Sequence, residues 1–338
     1  AKEKQIHYFK YFTTRPMSWY LLHFPPTEVF LSNGALMTGE ASPGYLPYPE
    51  VAFRLGNWMH DRASNGIHHN VGSPKIITIA RNPLERSYSS YKYNYRDPLV
   101  KKMLAKENSY GKKLKRTKEW FIENQIFSFE ELIAAELKQL KDCLHPGSFG
   151  EELTRKKHQE SWALPLHEKR KQEGLPGLVA IDETCYGDKV SDKIPRKQWS
   201  TLVKKNPNKV IDVSNTFLVQ SLIGRSLYVL PLDWWYELYP KNQLYMVCNE
   251  DLKNDASVTM SDVSDFLGLP SFNFDEVTSK GMYNVGGHTG YETVTSWNKT
   301  SSESTEIPIS AALKKEYLDF VRPFNERLFQ LTGKRCNW

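Results

Sequence analysis

The chain has 338 residues, 40% of them hydrophobic and 13% aromatic, with a formal net charge of +6. That hydrophobic content excludes a globally disordered chain and suffices for one large domain or two small ones. The charge suits a protein that handles anions without implying nucleic acid, and no apolar run approaches the roughly 20 residues of a membrane span.

The opening Ala1-Lys2-Glu3-Lys4 has no signal-peptide pattern, so any anchor or targeting segment is expected upstream. In chain order, the first strong element is Ile76-Ile77-Thr78-Ile79-Ala80, a β-branched run that predicts a fully buried strand of a parallel sheet. Asn82 and Pro83 suit the N-cap and first position of a helix running through Glu85, Tyr88 and Tyr91. A strand, tight turn and helix in succession form the place where α/β folds bind phosphates. Two charged stretches, residues 97–118 and 148–175, read as insertions with solvated faces or mobile loops.

Between them, Ser128-Phe129-Glu130-Glu131 is a capping box opening a helix with Leu132, Ile133, Leu137 and Leu140 on one face, ending before Pro146-Gly147. A helix over Leu232 to Leu238 stops at Pro240, and Gln243 to Cys248 reads as a second buried strand. A short helix with Val263, Phe266 and Leu267 ends at Gly268-Leu269-Pro270. Ser310 caps a helix with Leu313, Tyr317, Leu318 and Val321, and a separate helical stretch holds Leu328, Phe329 and Leu331 before Gly333. The helical setting of Trp234, Trp235 and Tyr236 predicts core rather than a sugar platform. Strands alternating with helices give an α/β fold with a largely parallel sheet, in one domain over residues 1–338.

Cys143, Cys185, Cys248 and Cys336 form no C-x-x-C pair and none sits near His at zinc-ligand spacing, so no metal site is expected. One or two disulfides fit a lumenal protein, with their pairing open. Asn298-Lys299-Thr300 is a glycosylation sequon, which leans the same way.

The chemistry concentrates where the first strand ends. Arg81 there presents a planar fork of donors suited to a phosphate, and Ser89 on the following helix can add a hydroxyl. The competing reading pairs Arg81 with a carboxylate and leaves Ser89 incidental. The segment resembles the 3′-phosphate motif of sulfotransferases that use 3′-phosphoadenosine-5′-phosphosulfate (PAPS), R-[DN]-P-x-[ED]-R-x-x-S-x-Y, through Arg81, Asn82, Pro83, Glu85, Arg86, Ser89 and Tyr91. Further blocks follow in family order. Lys4-Gln5-Ile6-His7-Tyr8-Phe9 resembles K-E-x-H-[FW]-[FW], and Gly39-Glu40-Ala41-Ser42-Pro43-Gly44-Tyr45 resembles G-E-[AK]-[ST]-P-x-Y. Leu232 to Trp235, Asn249 to Leu252 and Asp319 to Leu328 are similar to its later blocks. The nearest likeness is to carbohydrate enzymes of the N-acetylgalactosamine 4-sulfate 6-O-sulfotransferase and heparan sulfate sulfotransferase type.

The resemblance implies a P-loop-NTPase-like parallel sheet flanked by helices, with PAPS as donor, adenosine 3′,5′-bisphosphate (PAP) as product and no metal. It implies that Arg81 and Ser89 hold the 3′-phosphate. A basic loop of the family near the glycine-rich 280–291 marks Lys280 and His288 as cofactor contacts, with a surface turn as the alternative. Two departures stand out. No K-x-G-T-[TS] donor loop is present, so the N-terminal strand and donor loop are expected upstream of Ala1. The family's probable base, two residues before the His, is here Gln5, an amide that cannot take a proton. His7 and Glu40 are the candidates to replace it, Glu3 less so, and Lys4 could steady the sulfuryl oxygens. The expected acceptor is a carbohydrate hydroxyl, in the Golgi lumen, with membrane attachment, as a type II protein, only through an anchor absent from this chain. Two rivals are a small alcohol, phenol or lipid acceptor, which would allow a cytoplasmic enzyme, and a non-catalytic glycan- or nucleotide-binding module.

Overall fold

A computed structural model describes residues 5–32, 37–64, 74–97, 99–100, 123, 125–144, 162–181, 185–186, 202, 204–210, 221–279, 282–283, 291–292 and 306–338. The chain divides into two compact units, residues 1–80 with 231–297 and residues 81–230 with 298–338. Among the described residues no helix is long and apolar enough to cross a membrane.

The first unit holds the sheet. Strand β1 (Ile76–Ala80) pairs in parallel with β2 (Leu244–Cys248), Ile76 opposite Leu244 and Ala80 opposite Cys248. β2 is buried along most of its length, as its apolar run predicts. β1 is not: Ile77 and Ile79 are 39% and 56% exposed. The expectation of a fully buried strand is corrected here. Ile77 and Ile79 alternate onto one face of β1, and that face is only partly covered. Around the sheet, the helix Ala256–Leu267 stacks Phe266 on Tyr245 of β2, with ring centroids 5.0 Å apart. It starts on the Asp255 carboxylate, which accepts from the Val258 amide, and ends on left-handed Gly268. The helix Pro49–Ser64 buries Val51 and Ala52, and Tyr239 donates to the Ala52 carbonyl at 2.8 Å. Trp234 and Trp235 are buried, Trp235 donating to the Leu46 carbonyl, so both belong to the core.

The second unit is helical. Asn82 caps the helix Pro83–Tyr91, its side-chain oxygen accepting from the amides of Leu84 and Glu85, with Pro83 at the first position. Pro83, Leu84, Ser87, Ser90 and Tyr91 form the buried face, at helical spacing. One π-helical turn, Lys92–Arg96, continues it. Ser128 and Glu131 complete the expected capping box of the helix Phe129–Cys143, which buries Leu132, Ile133, Leu137 and Leu140. Cys143, its last residue, is bonded to Cys185.

Removing the Ser128 hydroxyl unmakes one reciprocal cap. Ser128→Ala should lower the stability of the full chain by about 1 kcal/mol in urea unfolding, and Ser128→Asp should recover most of it.

Two readings change. The C-terminal stretch is one helix, Ala311–Thr332, not two, and runs through Pro323. Proline removes the amide that would reach the Asp319 carbonyl, but contacts on both sides hold the geometry. Tyr317 and Val321 are buried before it and Leu328 and Phe329 after it, and the rings of Phe320 and Phe324 lie 5.5 Å apart across it. Part of the expected 148–175 insertion is the helix Ala163–Gln172, with His167 and Arg170 buried rather than solvated. His167 Nδ1 accepts from the Leu178 amide and Arg170 donates to the Pro176 carbonyl, which satisfies the buried polar groups. Most of residues 97–118 lies outside the described residues.

Candidate functional site

The phosphate motif folds into two faces of one helix. Arg86 and Ser87 point into the unit. Arg86 is partly buried and donates to the carbonyls of Ser221 and Leu222 at 3.0 and 2.9 Å. Burial pushes its pKa down. Tyr91 donates to the Phe127 carbonyl at 2.8 Å. These motif residues are structural.

Arg81, Glu85 and Ser89 follow one another at four-residue spacing, which places them in a row on the outer face. Arg81 donates through Nε and one terminal nitrogen to Glu85 Oε2, at 3.2 and 3.0 Å. Its main-chain amide donates to the Tyr228 hydroxyl at 3.2 Å. The carboxylate pairing weighed from sequence is therefore present. Both side chains are over a third exposed (36% and 41%), and an exposed pair of this spacing contributes only a few tenths of a kcal/mol. A phosphate dianion can take the guanidinium from it at little cost. Ser89 is half-buried, and its hydroxyl has no hydrogen-bond partner among the described residues. The row thus offers a guanidinium and a hydroxyl to an incoming oxyanion.

The second cluster lies in the other unit. Gln5 and His7 both have left-handed backbone, at φ 61° and 54°. Such conformations cost non-glycine residues about 1–3 kcal/mol and persist where surroundings impose them. Here a hydrogen-bond chain does so. The His7 amide donates to Ser42 Oγ at 3.1 Å, and Ser42 donates to Glu40 Oε2 at 3.3 Å. The hydroxyls of Tyr45 and Tyr20 lie close enough to the Glu40 carboxyl to favour its charged form. Tyr45 in turn accepts from the Phe9 amide at 3.4 Å. Burial pushes the Glu40 pKa up, against the pull of these three hydroxyls.

The His7 ring packs against Gly44, where a β-carbon would stand 3.1 Å from Cε1, tighter than a side chain tolerates without movement. Its Nδ1 is covered and has no partner among the described residues. Its Nε2 lies 3.4 Å from Gln5 Oε1, on the exposed side. Burial, and then Lys10, push the His7 pKa below the usual imidazole value. His7 is therefore a neutral imidazole at pH 7, reachable at Nε2.

The structure links His7 and Glu40 through Ser42, and sets Arg81 just before the helix that carries Ser89. Lys4, Lys280 and His288 lie outside the described residues, as does the sequon at Asn298. Tyr20 is the residue that motif reading missed: no pattern ties it to Glu40, twenty positions on. Tyr45 and Ser42 stand inside a quoted motif and were signalled only as part of it. Among the described residues no group of three or more His, Cys, Asp and Glu is placed to hold a metal ion.

No family model matches the chain. Over 349 residues it is 22% identical to the membrane-associated sulfotransferase kil1 of Dictyostelium discoideum, spanning 99% of this chain and 60% of that protein. Over 124 residues it is 29% identical to heparan sulfate glucosamine 3-O-sulfotransferase 3B1 of Mus musculus, covering 35% of this chain and 31% of that one. Over 126 residues it is 29% identical to heparan sulfate glucosamine 3-O-sulfotransferase 6 of Homo sapiens, covering 35% of each. The chain thus spans less than two thirds of the length of these relatives. Among solved structures, a sulfotransferase from Alicyclobacillus acidocaldarius aligns over 99% of this chain and 85% of its own, at 16% identity and a TM-score of 0.41. In sequence, the chain is similar along nearly its whole length to one sulfotransferase and over about a third of it to two more, the family its motifs resemble.

Proposed function

We propose that the protein transfers a sulfuryl group from PAPS to a hydroxyl of a carbohydrate acceptor. The observation that carries this reading is the row of Arg81, Glu85 and Ser89, a guanidinium held by an exposed carboxylate beside a hydroxyl that has no partner among the described residues. These two groups are the ones the motif assigns to the 3′-phosphate. In the reaction, a bond forms between the acceptor oxygen and sulfur, the sulfur–oxygen bond to the 5′-phosphate breaks, and PAP leaves. The acceptor proton passes to His7 Nε2 in the neutral tautomer whose ring proton sits on Nδ1, the acceptor hydroxyl replacing the Gln5 amide oxygen at Nε2. Glu40 keeps the His7 main chain in place through Ser42. Sulfuryl transfer asks for positioning and for donors around the transferred oxygens more than for covalent help, as phosphoryl transfer does. Lys4, Lys280 and His288 remain assigned as donor contacts by motif position alone.

A carbohydrate acceptor is favoured because two of the relatives are named for heparan sulfate. We place the chain in the Golgi lumen as one sulfotransferase domain of P-loop-like architecture. The Cys143–Cys185 bridge supports an oxidising compartment. The test is transfer of radiolabelled sulfate from PAPS to a panel of heparan sulfate, chondroitin sulfate and small phenols, with PAP binding measured alongside. Labelled glycan is the expected product. Labelling of the phenol alone would replace the acceptor class, and PAP binding without any transfer would leave a nucleotide-binding module.

A further inference from the structure

Behind the phosphate helix lies a buried network that the proposed reaction does not use. Glu136, on the helix Phe129–Cys143, is completely buried. Its Oε1 accepts from the amides of Ile223 and Gly224, each at 3.0 Å, and from the Tyr186 hydroxyl. Its Oε2 has no hydrogen-bond partner among the described residues. Burial pushes its pKa up to about 8, while Tyr186, the two amides and Arg86 pull it down. The segment whose amides it holds is the one whose carbonyls hold the phosphate helix. Ser221 and Leu222 accept from Arg86, and Leu222 also accepts from Ser87 Oγ at 2.7 Å. One turn of main chain is therefore gripped by a carboxyl group at its amides and by a guanidinium at its carbonyls. The carboxyl grip is buried and the guanidinium grip partly so, where such hydrogen bonds are strong and costly to lose.

The network ends at a disulfide. Tyr186 follows Cys185, which is bonded to Cys143 at the end of the helix that carries Glu136. Gln139, one turn after Glu136, donates to the Cys185 carbonyl at 2.6 Å. Gly224 leaves room for Tyr186: a β-carbon there would overlap its hydroxyl and stand 3.0 Å from its ring.

We propose that Glu136 and Tyr186 are positioning residues for the nucleotide site, and that the Cys143–Cys185 bridge locks them in place. This rests on the reading of Arg81 and Ser89 as the 3′-phosphate site. With the bridge intact, Tyr186 and Glu136 fix the amides of Ile223 and Gly224. The carbonyls one and two residues earlier then fix Arg86 and Ser87, and with them the helix that presents Ser89. Reduction by a dithiol such as dithiothreitol breaks the sulfur–sulfur bond. Each cysteine gains a hydrogen, and the reductant becomes its cyclic disulfide. The Tyr186 end of the network is then released.

The test uses the full chain and PAP. Isothermal titration should give Kd values about threefold to thirtyfold weaker for Tyr186→Phe and for the double variant Cys143→Ser with Cys185→Ser, the range of coupling carried through packed networks. Glu136→Gln, which keeps an acceptor oxygen for the two amides, should bind more tightly than Glu136→Ala. Coupling is reciprocal, so saturating PAP should slow dithiothreitol reduction of the bridge in the unmutated protein, read by alkylation and mass spectrometry at Cys143 and Cys185. This last measurement decides the matter if the variants do not fold. Equal reduction rates with and without PAP, or Kd values within twofold of the parent in folded Tyr186→Phe and in the double variant, overturn the coupling alone. Absence of PAP binding by the parent removes the nucleotide site itself.

Discussion

Arg81→Ala should weaken PAP binding by about tenfold to a hundredfold, while the melting temperature changes little. A hydrogen bond to a charged group is worth about 1.5–3 kcal/mol, and each 1.4 kcal/mol is a factor of ten. Among the described residues the folded protein loses an exposed pair with Glu85, worth a few tenths of a kcal/mol. Binding and stability should therefore separate. Glu85→Gln supplies the internal control: it releases the guanidinium from its resting partner, and PAP should bind as tightly as before or slightly better. Ser89→Ala should cost less than Arg81→Ala, because a neutral donor makes a weaker bond to a phosphate. If Arg81→Ala binds PAP like the parent, the assignment of the row is wrong.

His7→Ala should reduce turnover by about a hundredfold to ten-thousandfold, the usual contribution of a general base, with PAP affinity unchanged. The pH profile gives a second readout. The His7 pKa lies below the usual imidazole value, so the base form predominates at pH 7. The rate should fall only on acidification, through a pKa below 6.5, as the ring gains its proton. Glu40 gives the contrast. Glu40→Gln keeps an oxygen to accept from Ser42 and should retain most turnover, whereas Glu40→Ala unties Ser42 and should lose more. A Glu40→Gln variant as inactive as His7→Ala would transfer the role of base to the carboxyl.

What was legible in the sequence was what neighbouring residues decide between themselves. Asn82 before Pro83, Ser128 three residues before Glu131, and Ser310 and Gly333 at the ends of the last helix all act within one turn, and each does what its residue type favours. Pro323 misled because its local preference is to stop a helix, while burial of Tyr317 and Phe329 on either side outweighs one missing amide. Ile77 and Ile79 misled because β-branched residues favour a strand without saying how many faces of it are covered. The site divides in the same way. Arg81 stands just before the cap of the helix that carries Ser89, so their spacing sufficed. Tyr20 meets Glu40, and Glu136 meets Gly224, only through the folded chain, and a single sequence carries no local mark of either meeting.

The left-handed backbone at Gln5 and His7 bears on any attempt to engineer the protein for heat tolerance. A search guided by torsion angles would put glycine at both positions, since glycine adopts that conformation without steric cost. At residue 5 the exchange should be harmless or mildly beneficial. At residue 7 the sturdier variant would have no imidazole, so the change that most relieves the chain there is the one that would remove the proposed base.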